Sequence, residues 1–141
     1  MDLFEAILWL AMNVYHESRS EGVMGMKAVA HVTINRAANR QLTIKEVVLQ
    51  PKQFSWVHLR KTYVPDDWVA LTACIKAASE AVNEPDFTAG ATHYHLDTVT
   101  PEWSYHIPYI GKYGSHLFYR DGPIPVFKAV KKKIIKTVKE E

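Results

Sequence analysis

The sequence predicts a single α+β domain, helices first and a small antiparallel sheet second. Three observations carry this. Apolar residues recur at helical spacing through the first 82 positions. After Pro85 the pattern changes to short aromatic and β-branched runs of period two. The length of 141 residues, 48% hydrophobic and 23% charged, suits one core of ordinary composition. Helical and sheet patterns kept in separate halves of a chain argue for α+β rather than alternating βαβ units.

The elements follow in order. Leu3, Ile7, Leu10 and Val14 set a helix over 3–18, with Asp2 in place to cap it. Gly22 and Gly25 are read as punctuating the turn that follows. A second helix is expected over 25–38. It is apolar on most of its circumference, with Lys27, His31 and Asn35 forming a polar stripe, so it should be central and buried. Thr43 with Glu46 three residues on is a capping-box pattern opening a short helix to about residue 49. Pro51 should end it, and residues 51–65 read as an aromatic-rich loop. Asp66 or Asp67 caps a further helix to Val82, with Trp68, Leu71, Ile75, Ala78 and Val82 as its inward stripe and Cys74 beside it as a buried, inert thiol. The runs 91–96, 104–110 and 115–120 are the expected strands. Residues 126–141 read as a basic helix, packed on or extending from a main domain of residues 1–125.

Composition and charge exclude several functions. The net charge is +2, but residues 126–141 hold six lysines against two glutamates. That leaves residues 1–125 with 11 basic and 13 acidic side chains, which argues against nucleic-acid binding by the main domain. The Lys-rich tail is the place for any weak contact with an anionic surface, and the protein is otherwise expected to be a monomer. No apolar run approaches the ~20 residues of a membrane span. The single cysteine rules out an internal disulfide. The amino terminus carries Asp2 and Glu5 where a signal peptide would be basic, so synthesis in the cytoplasm without export by a leader is expected.

Glu17 is the first residue with chemical promise. It sits at the edge of the apolar stripe, one turn past Val14, in the last turn of its helix. Partial desolvation and the negative end of the helix dipole both disfavour its anion. A carboxylic acid protonated near neutral pH can protonate the leaving oxygen of a glycosidic bond. The plainer alternative is an exposed helix-terminal glutamate in contact with His16 or Arg19.

The surrounding pattern favours the first reading. The run Val14-Tyr15-His16-Glu17-Ser18-Arg19-Ser20-Glu21-Gly22, then Gly25, then residues 28–36 (AVAHVTINR), closely resembles the SleB-type cell wall hydrolases, a family of spore-cortex-lytic enzymes with bacteriophage relatives. Further elements match in order: Gln53-Phe54-Ser55-Trp56, then Asp86, Thr88, Gly90 and Ala91 leading into Tyr94-His95, then Pro101 and Trp103, Ile110-Gly111, and His116 with Phe118-Tyr119-Arg120. The resemblance implies a lysozyme-like α+β domain that cuts peptidoglycan between N-acetylmuramic acid and N-acetylglucosamine, as a lytic transglycosylase or a muramidase. It implies Glu17 as the catalytic acid and no cofactor. Peptidoglycan glycan strands are the implied partner; with no leader read at the amino terminus, delivery to the bacterial wall as a phage lysin or with a virion is expected.

The matched motifs make Ser55, Trp56, Thr88, Tyr94, His95 and Trp103 candidate substrate-binding residues, with Phe54 and Phe118 better suited to the core. Two departures stand out. Ser18 and Ser20 replace the usual Ala and Gly, and Lys112-Tyr113-Gly114-Ser115 is extra, implying a longer last hairpin.

A hydrolase needs a second carboxylate, about 5–5.5 Å away for retention or 6.5–9.5 Å for inversion. Glu21 is the nearest candidate in sequence and Asp97 another, while a loop-ordering role for Glu21 stands beside the catalytic one. A transglycosylase needs neither, because the sugar's own C6 hydroxyl attacks and one residue serves as acid and then base. Two rival functions remain. His93, His95, His106 and His116 could serve a zinc-dependent amidase or peptidase, although no His-Glu-x-x-His helix supports a metal. An aromatic groove without catalysis would make a wall-binding module.

Overall fold

The computed structural model describes residues 2–50 and 65–122. Helix α1 runs Leu3–Ser18, α2 Gly22–Arg40, α3 Ile44–Leu49 and α4 Trp68–Asn83. Strand β1 is His93–Leu96, β2 Tyr109–Tyr113 and β3 His116–Tyr119, with a 3-10 helix at Glu102–Tyr105 before β2. The expected α+β class, helices followed by a small antiparallel sheet, is what the chain forms. The candidates Phe54, Ser55 and Trp56, the expected basic helix 126–141 and the boundary near residue 125 lie outside the described residues.

Local chemistry sets the helix starts. The Asp2 side chain accepts the Glu5 N–H at 2.7 Å. Thr43 and Glu46 form the full capping box, Thr43 Oγ1 accepting from Glu46 N at 3.0 Å and Glu46 Oε1 accepting from Thr43 N at 3.1 Å. Asp67 accepts the Ala70 N–H at 3.0 Å. The backbone turns left-handed at Gln41, φ 57°, to end α2.

Helices α1, α2 and α4 pack pairwise, with α3 against α1 and α2. Leu10, Ala11 and Val14 meet Ala28, Val29 and Val32 of α2 and Ala77, Ala78 and Ala81 of α4 in one core, which Phe118 of β3 closes from the sheet side. Helix α2 is buried continuously from Ala28 to Ala37, as its apolar circumference required.

Three local expectations are corrected. Helix α2 begins at Gly22, so Gly25 lies inside it; a Cβ at Gly25 would come within 2.7 Å of the Glu21 Cβ. On α4 the buried stripe is Cys74, Ala77, Ala78, Ala81 and Val82, while Trp68 is 69% exposed. Small residues let α4 approach closely along that line, and Trp68 in the first turn stands clear of it. Burial pushes the Cys74 thiol up to about 11, consistent with an inert group. The run 104–110 is not one strand. Pro101 accepts from Ser104 and starts the 3-10 turn, and Pro108, which has no N–H, delays pairing until Tyr109.

The sheet order is β1-β3-β2, antiparallel throughout. Tyr113 pairs with His116, so the last hairpin turns through Gly114-Ser115, with Gly114 at φ +62°. The extra residues of the sequence thus supply the end of β2 and its turn.

Candidate functional site

Glu17 occupies the last turn of α1 and is half-buried. Burial raises its carboxyl to about 7, against opposing pulls from the nearby Tyr94 hydroxyl and the Arg36 charge. Strand β1 brings Tyr94 to this point with its ring inward, edge-on to His116 at 5.0 Å and beside Phe118 at 5.5 Å. The Tyr94 hydroxyl is buried, and burial followed by the neighbouring Glu17 holds its pKa well above the ordinary tyrosine value. Arg36 is buried on α2, with Nε donating to the Thr92 carbonyl at 2.6 Å. Burial lowers its pKa while Tyr94 and Glu17 oppose the change. A shielded acid, a phenol and a guanidinium thus share one region, between the end of α1, the C-terminal part of α2 and the start of β1.

Glu21 is placed at the head of α2, its side chain 13% exposed. Its Oε2 accepts the Ser115 N–H at 2.8 Å and its Oε1 lies 3.8 Å from His116 Nδ1. Asp97 is at the surface, paired with Lys112 at 3.0 Å.

Thr88 is fully buried. Its N–H and hydroxyl both donate to Asp86 Oδ1, and the hydroxyl accepts from Ala91 N at 3.3 Å. The turn around Asp86 is further tied to α2, since Asn35 Nδ2 donates to Asp86 Oδ2 at 2.9 Å and to the Ala91 carbonyl at 2.9 Å. His31 lies 3.7 Å from Asp86, and burial lowers its pKa despite that neighbour.

His93 and His95 share the other face of β1, as their spacing required. His95 stacks on Tyr119 at 5.3 Å, its Nε2 within 2.9 Å of the Tyr119 hydroxyl and its Nδ1 within 2.7 Å of the Leu96 carbonyl. Trp103, carried by the 3-10 helix, packs against His93, His95 and Tyr119. Tyr94 therefore joins Glu17, whereas His95 and Trp103 form a separate aromatic cluster across the sheet. His116 belongs with Glu21 and Tyr94, and His106 is exposed beside Glu102. Among the described residues, no three His, Cys, Asp or Glu side chains gather as a set able to hold a metal.

Sequence reasoning gave no role to Arg36. The available signal was a guanidinium on the Ala28, Val29 and Val32 side of a buried helix, where a charge needs partners. It likewise missed that His31 and Asn35 converge on Asp86, although their stripe had been visible.

A helical core with a three-stranded antiparallel sheet closing over it, and the Glu17 carboxyl shielded between them, defines an α+β domain. The chain belongs to the cell wall hydrolase family: the family model described as Cell Wall Hydrolase matches residues 20–119, beginning three residues past Glu17. The crystal structure of the catalytic domain of Bacillus cereus SleB is similar at a TM-score of 0.72 and 32% identity, over 85% of this chain and 93% of that one. The catalytic domain of the germination-specific lytic transglycosylase SleB from Bacillus anthracis gives the same TM-score and identity, over 85% and 97%. Among curated relatives, the spore cortex-lytic enzyme of Bacillus cereus is 35% identical over 112 residues, and that of Bacillus subtilis strain 168 is 30% identical over 112 residues. Each alignment takes in 77% of this chain but only 42% and 35% of the relative, so the chain spans less than half their length.

Proposed function

We propose that this domain degrades peptidoglycan by cleaving the glycosidic bond between N-acetylmuramic acid and N-acetylglucosamine, as a lytic transglycosylase with Glu17 as general acid and then general base. The observation that carries the reading is the Glu17 carboxyl, half-buried at the end of α1 with its pKa raised to about 7. At that value the acid holds its proton near neutrality and can still release it, so one group serves both transfers. In the first transfer the carboxyl protonates the leaving oxygen as the glycosidic bond breaks. In the second, its carboxylate takes the proton of the C6 hydroxyl as that oxygen closes on C1, leaving a 1,6-anhydromuramyl end. Arg36 stabilises the carboxylate formed between the steps. Family membership and the likeness to SleB catalytic domains support the substrate.

The transglycosylase form is favoured over a hydrolase because both candidate second carboxylates are engaged elsewhere, Glu21 with the β2–β3 turn and Asp97 with Lys112. The test is mass spectrometry of muropeptides released from purified peptidoglycan in H₂¹⁸O. Anhydromuramyl ends without label are expected. Labelled reducing muramic ends would replace the mechanism with hydrolysis, and released peptides with intact glycan would replace the bond.

A further inference from the structure

Glu21 stands four residues past Glu17, beyond the end of α1 at the head of α2, and its surroundings are built around its side chain. Oε2 accepts the backbone N–H of Ser115 at 2.8 Å, and Oε1 lies 3.8 Å from Nδ1 of the buried His116. These are the last residue of the β2–β3 turn and the first of β3. Two glycines bracket the same side chain. A Cβ at Gly114 would fall 2.6 Å from Glu21 Oε2 and 3.1 Å from its Cβ, and a Cβ at Gly25 would fall 2.7 Å from that Cβ. From His116 the contacts continue inward, since its ring meets Tyr94 edge-on at 5.0 Å and the Tyr94 hydroxyl bears on the Glu17 carboxyl. Both carboxylate oxygens of Glu21 thus face the hairpin, in a space that leaves the side chain 13% exposed. A second catalytic carboxylate would need an oxygen directed at a sugar carbon or at an attacking water.

Resting on the reading of Glu17 above, we infer that Glu21 is a positioning residue: it grips the β2–β3 turn and, through His116, seats Tyr94 against Glu17. The turn it grips, Gly114-Ser115, falls within the four residues by which this chain departs from the family pattern. The clamp is therefore a fitting between this chain's own hairpin and the head of α2. Its effect on turnover is indirect. A displacement of about 1 Å in a catalytic constellation can lower rate by about 10²-fold.

The experiment measures kcat, KM, pH profile and melting temperature on soluble glycan strands for Glu21→Gln, Glu21→Ala and Gly114→Ala, with Glu17→Gln alongside. Gln retains an oxygen to accept from Ser115 and discards the acid, so Glu21→Gln should keep kcat within about tenfold of wild type. Glu21→Ala should lose on the order of 10²-fold in kcat with a smaller change in KM, and its alkaline limb should move as Tyr94 loosens. Gly114→Ala alters no acid and should reproduce the Glu21→Ala loss; it stands in for that variant if Glu21→Ala does not fold. A folded Glu21→Gln that loses as much as Glu21→Ala would overturn the inference in favour of carboxylate chemistry. Wild-type kcat and pH profile in both Glu21→Ala and Gly114→Ala would overturn it in favour of no role. Undiminished turnover by Glu17→Gln would instead remove the reading of Glu17 itself, a result distinct from any loss confined to Glu21.

Discussion

Glu17 and Asp86 are both carboxyls largely withdrawn from water, and their pKa values move in opposite directions. Burial acts on each in the same sense, against the charged form. At Asp86 burial is outweighed. Thr88 donates twice, Asn35 and Gly90 once each, and His31 stands nearby, so its carboxyl is held below the ordinary aspartate range. At Glu17 burial prevails over Tyr94 and Arg36, and the carboxyl rises to about 7. Donor supply, more than depth, separates a carboxylate that stiffens a loop from an acid that can exchange its proton.

The sharpest way to break this comparison is to remove each acid. Glu17→Gln keeps the shape and discards the proton, and should lower turnover of purified peptidoglycan by on the order of 10²–10⁴-fold, measured by release of soluble muropeptides. Asp86→Asn should act on stability instead. It leaves the Thr88 and Gly90 N–H groups competing for a single neutral acceptor, and should lower stability by about 3 kcal/mol in a denaturant titration. A turnover collapse in Asp86→Asn with unchanged stability would reverse the two roles.

The pH dependence of stability separates the pair as well. The Glu17 pKa is raised from 4.5 in the unfolded chain to about 7 in the folded one, so the folded state binds the extra proton. Stability from this group is fully present below about 4.5 and is lost as pH rises through 7. Glu17→Gln should therefore be more stable than wild type at pH 8, by no more than about 3 kcal/mol, and gain nothing at pH 4. Asp86 has the opposite sign. Its lowered pKa gives stability present above the unfolded aspartate value and lost as pH falls through the folded one. Melting curves of wild type and the two variants between pH 3 and 8 check both signs.

What could be read from the sequence follows the range of the interactions. The helix starts at Asp2, Thr43 and Asp67 depend on neighbours three residues away, and their side chains were visible in the sequence. The Glu17 environment was legible for a related reason, because stripe edge and helix end are both local properties. Partnerships across about fifty residues were not. Nothing within α2 says that Asn35 meets Asp86 and Ala91, or that Arg36 meets Thr92. Period two placed His93 and His95 on one face of β1, yet only packing decides which face meets the helices, and it is Tyr94 that does. The start of β2 was misjudged because Pro101 and Pro108 constrain a segment whose aromatic content alone reads as strand.

The smallest expected effect concerns that choice of face. The buried Tyr94 hydroxyl neighbours Glu17 and opposes the rise that burial gives the Glu17 pKa. Tyr94→Phe removes the hydroxyl and keeps the ring, including its contacts with His116 and Phe118. The anion of Glu17 then loses a polar neighbour worth no more than about 1 kcal/mol, so its pKa should rise by less than about one unit. In a pH–rate profile on soluble glycan strands, the alkaline limb should move upward by that amount, because the general acid stays protonated to higher pH. Trp103→Ala removes an aromatic contact from the opposite face, where the ring packs on His93, His95 and Tyr119. It should lower the melting temperature and leave the limb where it is. If instead Trp103→Ala moves the limb and Tyr94→Phe does not, the face of β1 that serves the acid is the one bearing His95, and the proton chemistry must be rebuilt around that cluster.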